Sequence, residues 1–425
     1  MRQWKRYPKY KDSGIEWFGE IPEGWKTSHV SFYFHIQLGK MLQNDPSSEL
    51  DQLIPYLRAV HVNWGSISTD DLPEMWVSPD DLKTYAVLDG DLLVCEGGDV
   101  GRAGIISDPP VPCVIQNALH RVRPFSKGNI KYLQYLLEFV KIVGWFDILC
   151  NKATIAHFTR EKFTELNISI PPLPEQTAIA AFLDHETARI DALIEKKQRQ
   201  IKLLQEKRAA LISQAVTKGL DPTVKMKDSG VEWLGEIPEH WEVSQISRFF
   251  TLQRGFDITK DKQIEGDIPV ISSGGISSYH NIPMAKGPGV LVGRKGTVGS
   301  VYYIESDYWA HDTTLWVTNF KGNCEKFLYY LLIVLDLKRF DTGSANPTIN
   351  RNIIHPEIIA VPPYDEQLKI SSYIDKKTIQ SDQIMEIIRN SIEKIQEYRS
   401  VLISAAVTGK IDVRDSILPS IEVQS

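Results

Sequence analysis

Apolar side chains between Pro174 and Gly219 fall at Leu183, Ile190, Ile194, Ile201, Leu204 and Leu211. After a first step of seven, the steps alternate between four and three residues once Lys197 and Arg208 are counted into the same seam. No Gly or Pro interrupts the run, so the pattern predicts one long helix, and some 40 residues at about 1.5 Å each make a rod of about 60 Å. The pattern returns near the C-terminus at Ile374, Met385, Ile388, Ile392, Ile395 and Leu402, with Arg399 where Arg208 stood. Two matching stripes predict that each helix covers the other, antiparallel, leaving outer faces for a partner. The seam charges Lys197, Arg208 and Arg399 oppose tight packing by their heads and allow it by their stems, and they can set register.

Internal repeats divide the chain. KDSGIEWFGEIPEGW, Lys11 to Trp25, returns 216 positions later as KDSGVEWLGEIPEHW, Lys227 to Trp241. The helical copies return 191 positions later, pairing Glu175 and Gln176 with Glu366 and Gln367. The organisation expected is 1–172, a globular unit; 173–220, a long helix; 221–363, a second unit; 364–412, a second helix; and 413–425, a loosely packed tail. KGLDPTVKMK, before Asp228, reads as a linker.

Between these anchors the units match in outline. Gln37 and Gly39 align with Gln253 and Gly255, Gly97–Gly104 with Gly293–Ser300, and Gln116 and Asn117 with His311 and Asp312. Short apolar runs such as DLLVC, PCVIQ, GVLVG and SVYYI, separated by Gly, Pro and Asp, predict strands joined by turns. Helical runs follow around Lys131–Leu149 and Glu325–Leu337. Each unit is expected to be α+β with a mainly antiparallel sheet.

At 425 residues the chain is too long for one ordinary core. No apolar run approaches the roughly 18 residues of a membrane span, and the charged start is no signal peptide, so a cytoplasmic protein is expected. Cys95, Cys113, Cys150 and Cys324 have no metal-ligand spacing and read as free thiols. The net charge of -6 confines any nucleic-acid site to a local patch.

Three groups of residues are candidates for such a patch. The glycine-rich turns read as hairpins, or as loops whose amides, with Arg102, Arg294 and Lys295, meet a phosphate; they lack the spacing of nucleotide-binding loops. The segments Arg58–Trp64 and Ser272–Asn281 follow equivalent strands and supply Arg58, His61, Asn63, Trp64, Ser272, Ser273 and His280. Reading base edges needs Arg or Lys for guanine and Asn or Gln for adenine. These loops hold that inventory, as ordinary exposed loops also can. Lys40, Gln116, Asn117, His120, Arg121, Arg254, His311, Asn346 and Thr348 are further candidates. No nucleophile elbow, zinc helix, phosphate-loop lysine or amino-methyltransferase motif is present, and no carboxylate spacing singles out a metal-dependent nuclease.

The duplicated PPLPEQ and PPYDEQ entries, the helix ends LISQAVTKG and LISAAVTGKID, and the openings GEIPEGW and GEIPEHW together resemble the specificity subunit of type I restriction-modification systems. The resemblance spans essentially the whole chain. It implies two target recognition domains, each reading one half of a bipartite sequence in double-stranded DNA. The helices would act as a ruler and bind two modification subunits, with restriction subunits completing the nuclease. It also implies a non-catalytic chain without a cofactor, S-adenosylmethionine and ATP belonging to the partner subunits. The rival readings are the specificity part of a type IIB-like methyltransferase-nuclease, and a coiled-coil scaffold that binds no DNA.

Overall fold

The computed structural model describes residues 4–150, 157–341, 343 and 347–416. They fall into two compact units, Met1–Lys196 with Asn390–Ser425, and Lys197–Arg389.

In the first unit a six-stranded sheet runs, in spatial order, Phe34–Leu38, Leu119–Pro124, Leu92–Cys95, Ala103–Ile105, Gly65–Ile67 and Val62–Asn63. Its pairings are antiparallel except that between Ala103–Ile105 and Gly65–Ile67. Gln52–Leu57 lies between Val114–Ile115, which it pairs in parallel, and Glu74–Val77, which it pairs antiparallel. The run LLVC is buried at every residue. With period-two alternation, Leu92 and Val94 face a core closed by the helix Ile130–Ile142, while Leu93 and Cys95 face a smaller cluster with Leu57 and Ile115.

The second unit repeats this plan with fewer strands. Thr251–Arg254, Thr314–Asn319, Gly289–Gly293 and Val301–Ile304 form an antiparallel sheet. Ile268–Ser272 pairs antiparallel with Gly275–His280 and in parallel with Trp309–Ala310. Val290 and Val292 face the core under the helix Glu325–Val334, and Leu291 faces Tyr308. Each unit is therefore α+β, antiparallel in the main, with two parallel pairings in the first and one in the second that the strand pattern did not announce.

The long helices are Leu173–Lys218 and Tyr364–Val407, of 46 and 44 residues. The start of the first and the end of the second belong to the first unit, where Leu183, Ile190 and Leu402 are buried and Ile194, Ile392 and Ile395 half-buried. The remaining halves belong to the second unit, where Ile374 and Met385 are buried and Ile201, Leu204, Leu211 and Ile388 half-buried. Two of the seam charges make bonds across the pair. Arg399 binds Asp191 at 3.0 Å and Glu138 at 2.5 Å, and Arg208 binds Asp382 at 2.6 Å.

The repeated sequence signatures meet at one junction in each unit. In the first, Trp25 Nε1 donates to Glu175 Oε1 at 2.9 Å, and the Tyr7 hydroxyl donates to the same carboxylate oxygen. The second helix ends against this tryptophan at Gly409, whose φ of +70° and closeness to Pro22 leave no room for a Cβ. In the second unit Trp241 Nε1 donates to Glu366 Oε1 at 3.2 Å, and Gly219, with φ +75°, ends the first helix beside both residues. The glutamine that follows each glutamate ties two segments, the start of a shorter helix and the prolines that precede its own. Gln176 accepts from Asn129 N and donates to the carbonyls of Lys127 and Pro171. Gln367 accepts from Cys324 N and donates to Pro362 O and Asn323 Oδ1. With 409 near 175 and 399 near 191, rising numbers on one helix meet falling numbers on the other. The packing is antiparallel, and the second unit repeats it with 219 near 366 and 208 near 382.

Two segments differ from expectation. The stretch read as a linker contributes Met226–Asp228, a strand paired with Glu236–Pro238. The start of the tail is packed: Val413 is buried, Asp412 N donates to Lys5 O at 2.8 Å, and the Arg414 guanidinium lies 4.9 Å from the Tyr7 ring centre. A salt link from Arg414 holds the Asp412 carboxyl below its ordinary range.

Candidate nucleic-acid interface

Backbone hydrogen bonds align the two glycine-rich hairpins. Cys95 N bonds Arg102 O and Gly101 N bonds Cys95 O; Gly293 N bonds Ser300 O and Gly299 N bonds Gly293 O. Cys95 is thus the counterpart of Gly293, and Gly101 of Gly299. This corrects the sequence alignment by two positions, because glycine spacing alone cannot fix hairpin register. Arg102 consequently matches Ser300, and Glu96 stands where the second unit has Arg294. Phe158 N bonds Glu96 O as Ile349 N bonds Arg294 O, so His157, Thr159 and Arg160 match Thr348, Asn350 and Arg351.

In the second unit these elements enclose a cleft of about 610 Å³, lined among others by Arg254, Phe256, Asp257, Arg294, Asp312 and Arg351. Its floor depends on Gly255. A Cβ there would lie 2.2 Å from His311 O, so only glycine lets the strand end press against the loop at residues 310–312. Arg254 Nη2 then meets Asp312 Oδ2 at 2.6 Å, and His311 Nδ1 lies 3.1 Å from Asp312 Oδ1. Arg294 Nη1 donates to Asp312 O at 3.4 Å. Partial burial, with Arg254 nearby, lowers the Arg294 pKa from its ordinary value. Asp257, His311 and Asp312 offer ligand atoms within 4.8 Å of one another, a grouping that sequence spacing did not single out. Arg254 supplies the positive charge at Asp312, so the grouping already has its counter-ion. Phe256 projects into solvent, 52% exposed.

The first unit builds the same floor with other side chains. A Cβ on Gly39 would lie 2.2 Å from Gln116 O. Leu38, Lys40, Met41, Glu96, Asn117 and His157 stand where the second unit has Arg254, Phe256, Asp257, Arg294, Asp312 and Thr348. Lys40 is committed to Asp81 at 2.7 Å. Burial raises the Glu96 carboxyl above its usual range, His157 opposing and Glu161 adding to the effect.

Of the residues predicted from sequence, the fold gathers Arg254, Arg294, Lys295, His311 and Thr348 in one unit and Lys40, Gln116 and Asn117 in the other. Arg58 follows, and Ser272 ends, the strand that bonds Gln116 or His311 in its unit, at the edge of each site. Others are turned to structural work. His120 is fully buried with Nε2 2.7 Å from Phe158 O. Arg121 is buried on Ala86 O, and Arg102 bonds Ala59 O at 3.0 Å. His61 accepts from Arg58 N, and Trp64 packs on the first core. Ser273 accepts from the Tyr302 hydroxyl through its carbonyl, and His280 packs edge-on to Trp309. Asn63 is exposed on its short strand. Asn346 lies outside the described residues. Sequence reasoning missed Phe256, Asp257, Asp312, Arg351, Leu38, Glu96, His157 and Arg160. The repeated Gln-x-Gly was the available signal for the first few of these.

The family model described as type I restriction modification DNA specificity domain matches residues 22–203 and 238–394. The putative type I restriction enzyme MjaX specificity subunit of Methanocaldococcus jannaschii is 24% identical over 93% of this chain and 96% of its own length. The MjaVIII specificity subunit of the same organism is 24% identical over 93% and 95%. Among solved structures, one from work on complex assembly and conformational transition of the type I R-M system superposes with TM-score 0.67 at 15% identity, covering 91% of this chain and 98% of that one. The HsdS subunit from Thermoanaerobacter tengcongensis superposes with TM-score 0.53 at 14% identity, covering 92% and 98%.

Proposed function

The chain belongs to the type I restriction-modification DNA specificity family, and from that premise we propose that its two units read the two halves of a bipartite sequence in duplex DNA. The observation that supports this most is the pair of equivalent sites with dissimilar linings. A shared floor at Gly39 and Gly255 carries Leu38, Glu96 and Asn117 in one unit and Arg254, Arg294 and Asp312 in the other. Base contacts specify while backbone contacts position, so one scaffold with two inventories suits two different half-sites.

In this reading the chain is itself non-catalytic and cytoplasmic, in a prokaryote. Its long helices set the spacer and dock two modification subunits, which bring S-adenosylmethionine; restriction subunits bring ATP. Exposed Leu203, Ile379 and Ile387 offer apolar surface for that docking. No helix among the described residues is long and apolar enough to cross a membrane. The test is a map of methylated sites in cells with and without the gene, alongside duplex binding as salt is varied. A bipartite methylated sequence that vanishes with the gene, and affinity that falls steeply with salt, are expected. Binding indifferent to both sequence and salt would leave only the scaffold reading.

A further inference from the structure

We propose that Arg254, oriented by Asp312, is the side chain through which the second unit selects a guanine. This rests on the DNA-reading function proposed above and assigns it a base and a residue.

Arg254 closes the strand Thr251–Arg254, where its register partner is Leu315. The next residue, Gly255, allows the close approach that brings Asp312 under the guanidinium. Asp312 is largely covered, its side chain 24% exposed, whereas that of Arg254 is 56% exposed. Both residues line the cleft, and the guanidinium is the more accessible of the two. Asp312 engages Nη2, which has two hydrogens; the other can pair with a parallel N–H of Nη1 or Nε, neither of which carries a hydrogen bond among the described residues. Guanine presents O6 and N7 side by side in the major groove, and a planar guanidinium held in one orientation matches them with two parallel donors. A free arginine must lose rotamer entropy to do so; one fixed by a carboxylate has lost much of it already. His311 and the Arg294 contact on Asp312 O hold the support from two further directions.

The first unit shows what the same place does without this device. Leu38 stands for Arg254 and Asn117 for Asp312, so neither the fork nor its support exists there. A phosphate contact at this place would position the duplex without preferring a base, and that difference is what the test reads.

The test uses the full chain assembled with its modification subunits, selecting bound duplexes from a pool randomised across the target. Arg254→Ala should turn one guanine of the second half-site into any base and weaken binding to the cognate duplex by about tenfold to a hundredfold. The first half-site and the remaining positions of the second should keep their sequence, and the latter shows the second unit of the variant to be folded. Asp312→Asn, which keeps the arginine and removes its charged support, should relax the same position partially, and Arg254→Lys should not restore it. Uniform weakening by Arg254→Ala with the second half-site unchanged would make Arg254 a phosphate contact and overturn the assignment. Loss of sequence preference at both half-sites would overturn it too, since Arg254 would then act on the whole fold. Were the unaltered chain to show no bipartite preference at all, the DNA-reading function would fail; the Arg254 assignment fails alone when that preference exists and the substitution leaves it intact.

Discussion

Arg399 reaches from the second long helix to Asp191 on the first at 3.0 Å, and the positions 191 residues away repeat the contact as Arg208 and Asp382 at 2.6 Å. The two contacts are not energetically equal. Arg399 is the more covered and also binds Glu138, itself largely buried, whereas Arg208 and Asp382 are well exposed. Arg399→Met should therefore cost about 2 kcal/mol by leaving Glu138 without its charged donor, and Arg208→Met less than about 1 kcal/mol. Urea unfolding followed by hydrogen exchange in each unit measures both.

The first unit's core contains Leu402, Ile403, Ala406 and Val407 from the end of the second helix. Ending the chain at Ile395 removes them, at about 1.5–3 kcal/mol for each large side chain. Amide protection should collapse around the sheet of the first unit and persist in the second. Equal loss in both would mean that the units do not hold separate cores.

Gly255→Ala drives a methyl into His311 O, a backbone atom that cannot swing aside, and about 1–3 kcal/mol of strain follows. Gly39→Ala does the same against Gln116 O. Each should blur its own half-site in a methylation map and leave the other sharp.

Acid should weaken the first unit. Burial lowers the pKa of His120 below the usual imidazole value, so the native ring stays neutral where the unfolded ring takes a proton. The stabilisation is complete above the unfolded value near 6.5 and is lost as pH falls below it. The melting temperature of the first unit should drop between pH 7 and pH 5, and less so in His120→Gln.

Removing seven residues centred on Arg199 and seven centred on Asn390 keeps the heptad seam in phase and shortens each helix by about 10 Å. Methylation should then map to the same half-sites with a shorter gap. An unchanged gap would deny the helices their role as ruler.

Much of this was legible in the sequence, for reasons that differ by region. The seam residues follow from periodicity, because a helix must cover its stripe; their burial or half-burial accords with it. The Trp–Glu–Gly junctions were present as repeated words, yet only the fold explains why the three words travel together. Loop chemistry was least legible. His120 and Arg121 looked like contact residues, but the strand Leu119–Pro124 is covered on both faces at residues 119–122 and period two had no solvent side to reveal. Asp312 was passed over because its value lies in the arginine it supports, 58 positions away.

A chain whose first core needs Leu402 to Val413 cannot finish that core in the order in which it is made. At roughly 5–20 residues per second, the ribosome needs about ten to forty seconds after the first long helix emerges to deliver the closing segment. Through that interval the apolar slot beside Trp25 stands open. A message cut short before Leu402 leaves that slot uncovered, an apolar surface of the kind that chaperones and proteases recognise.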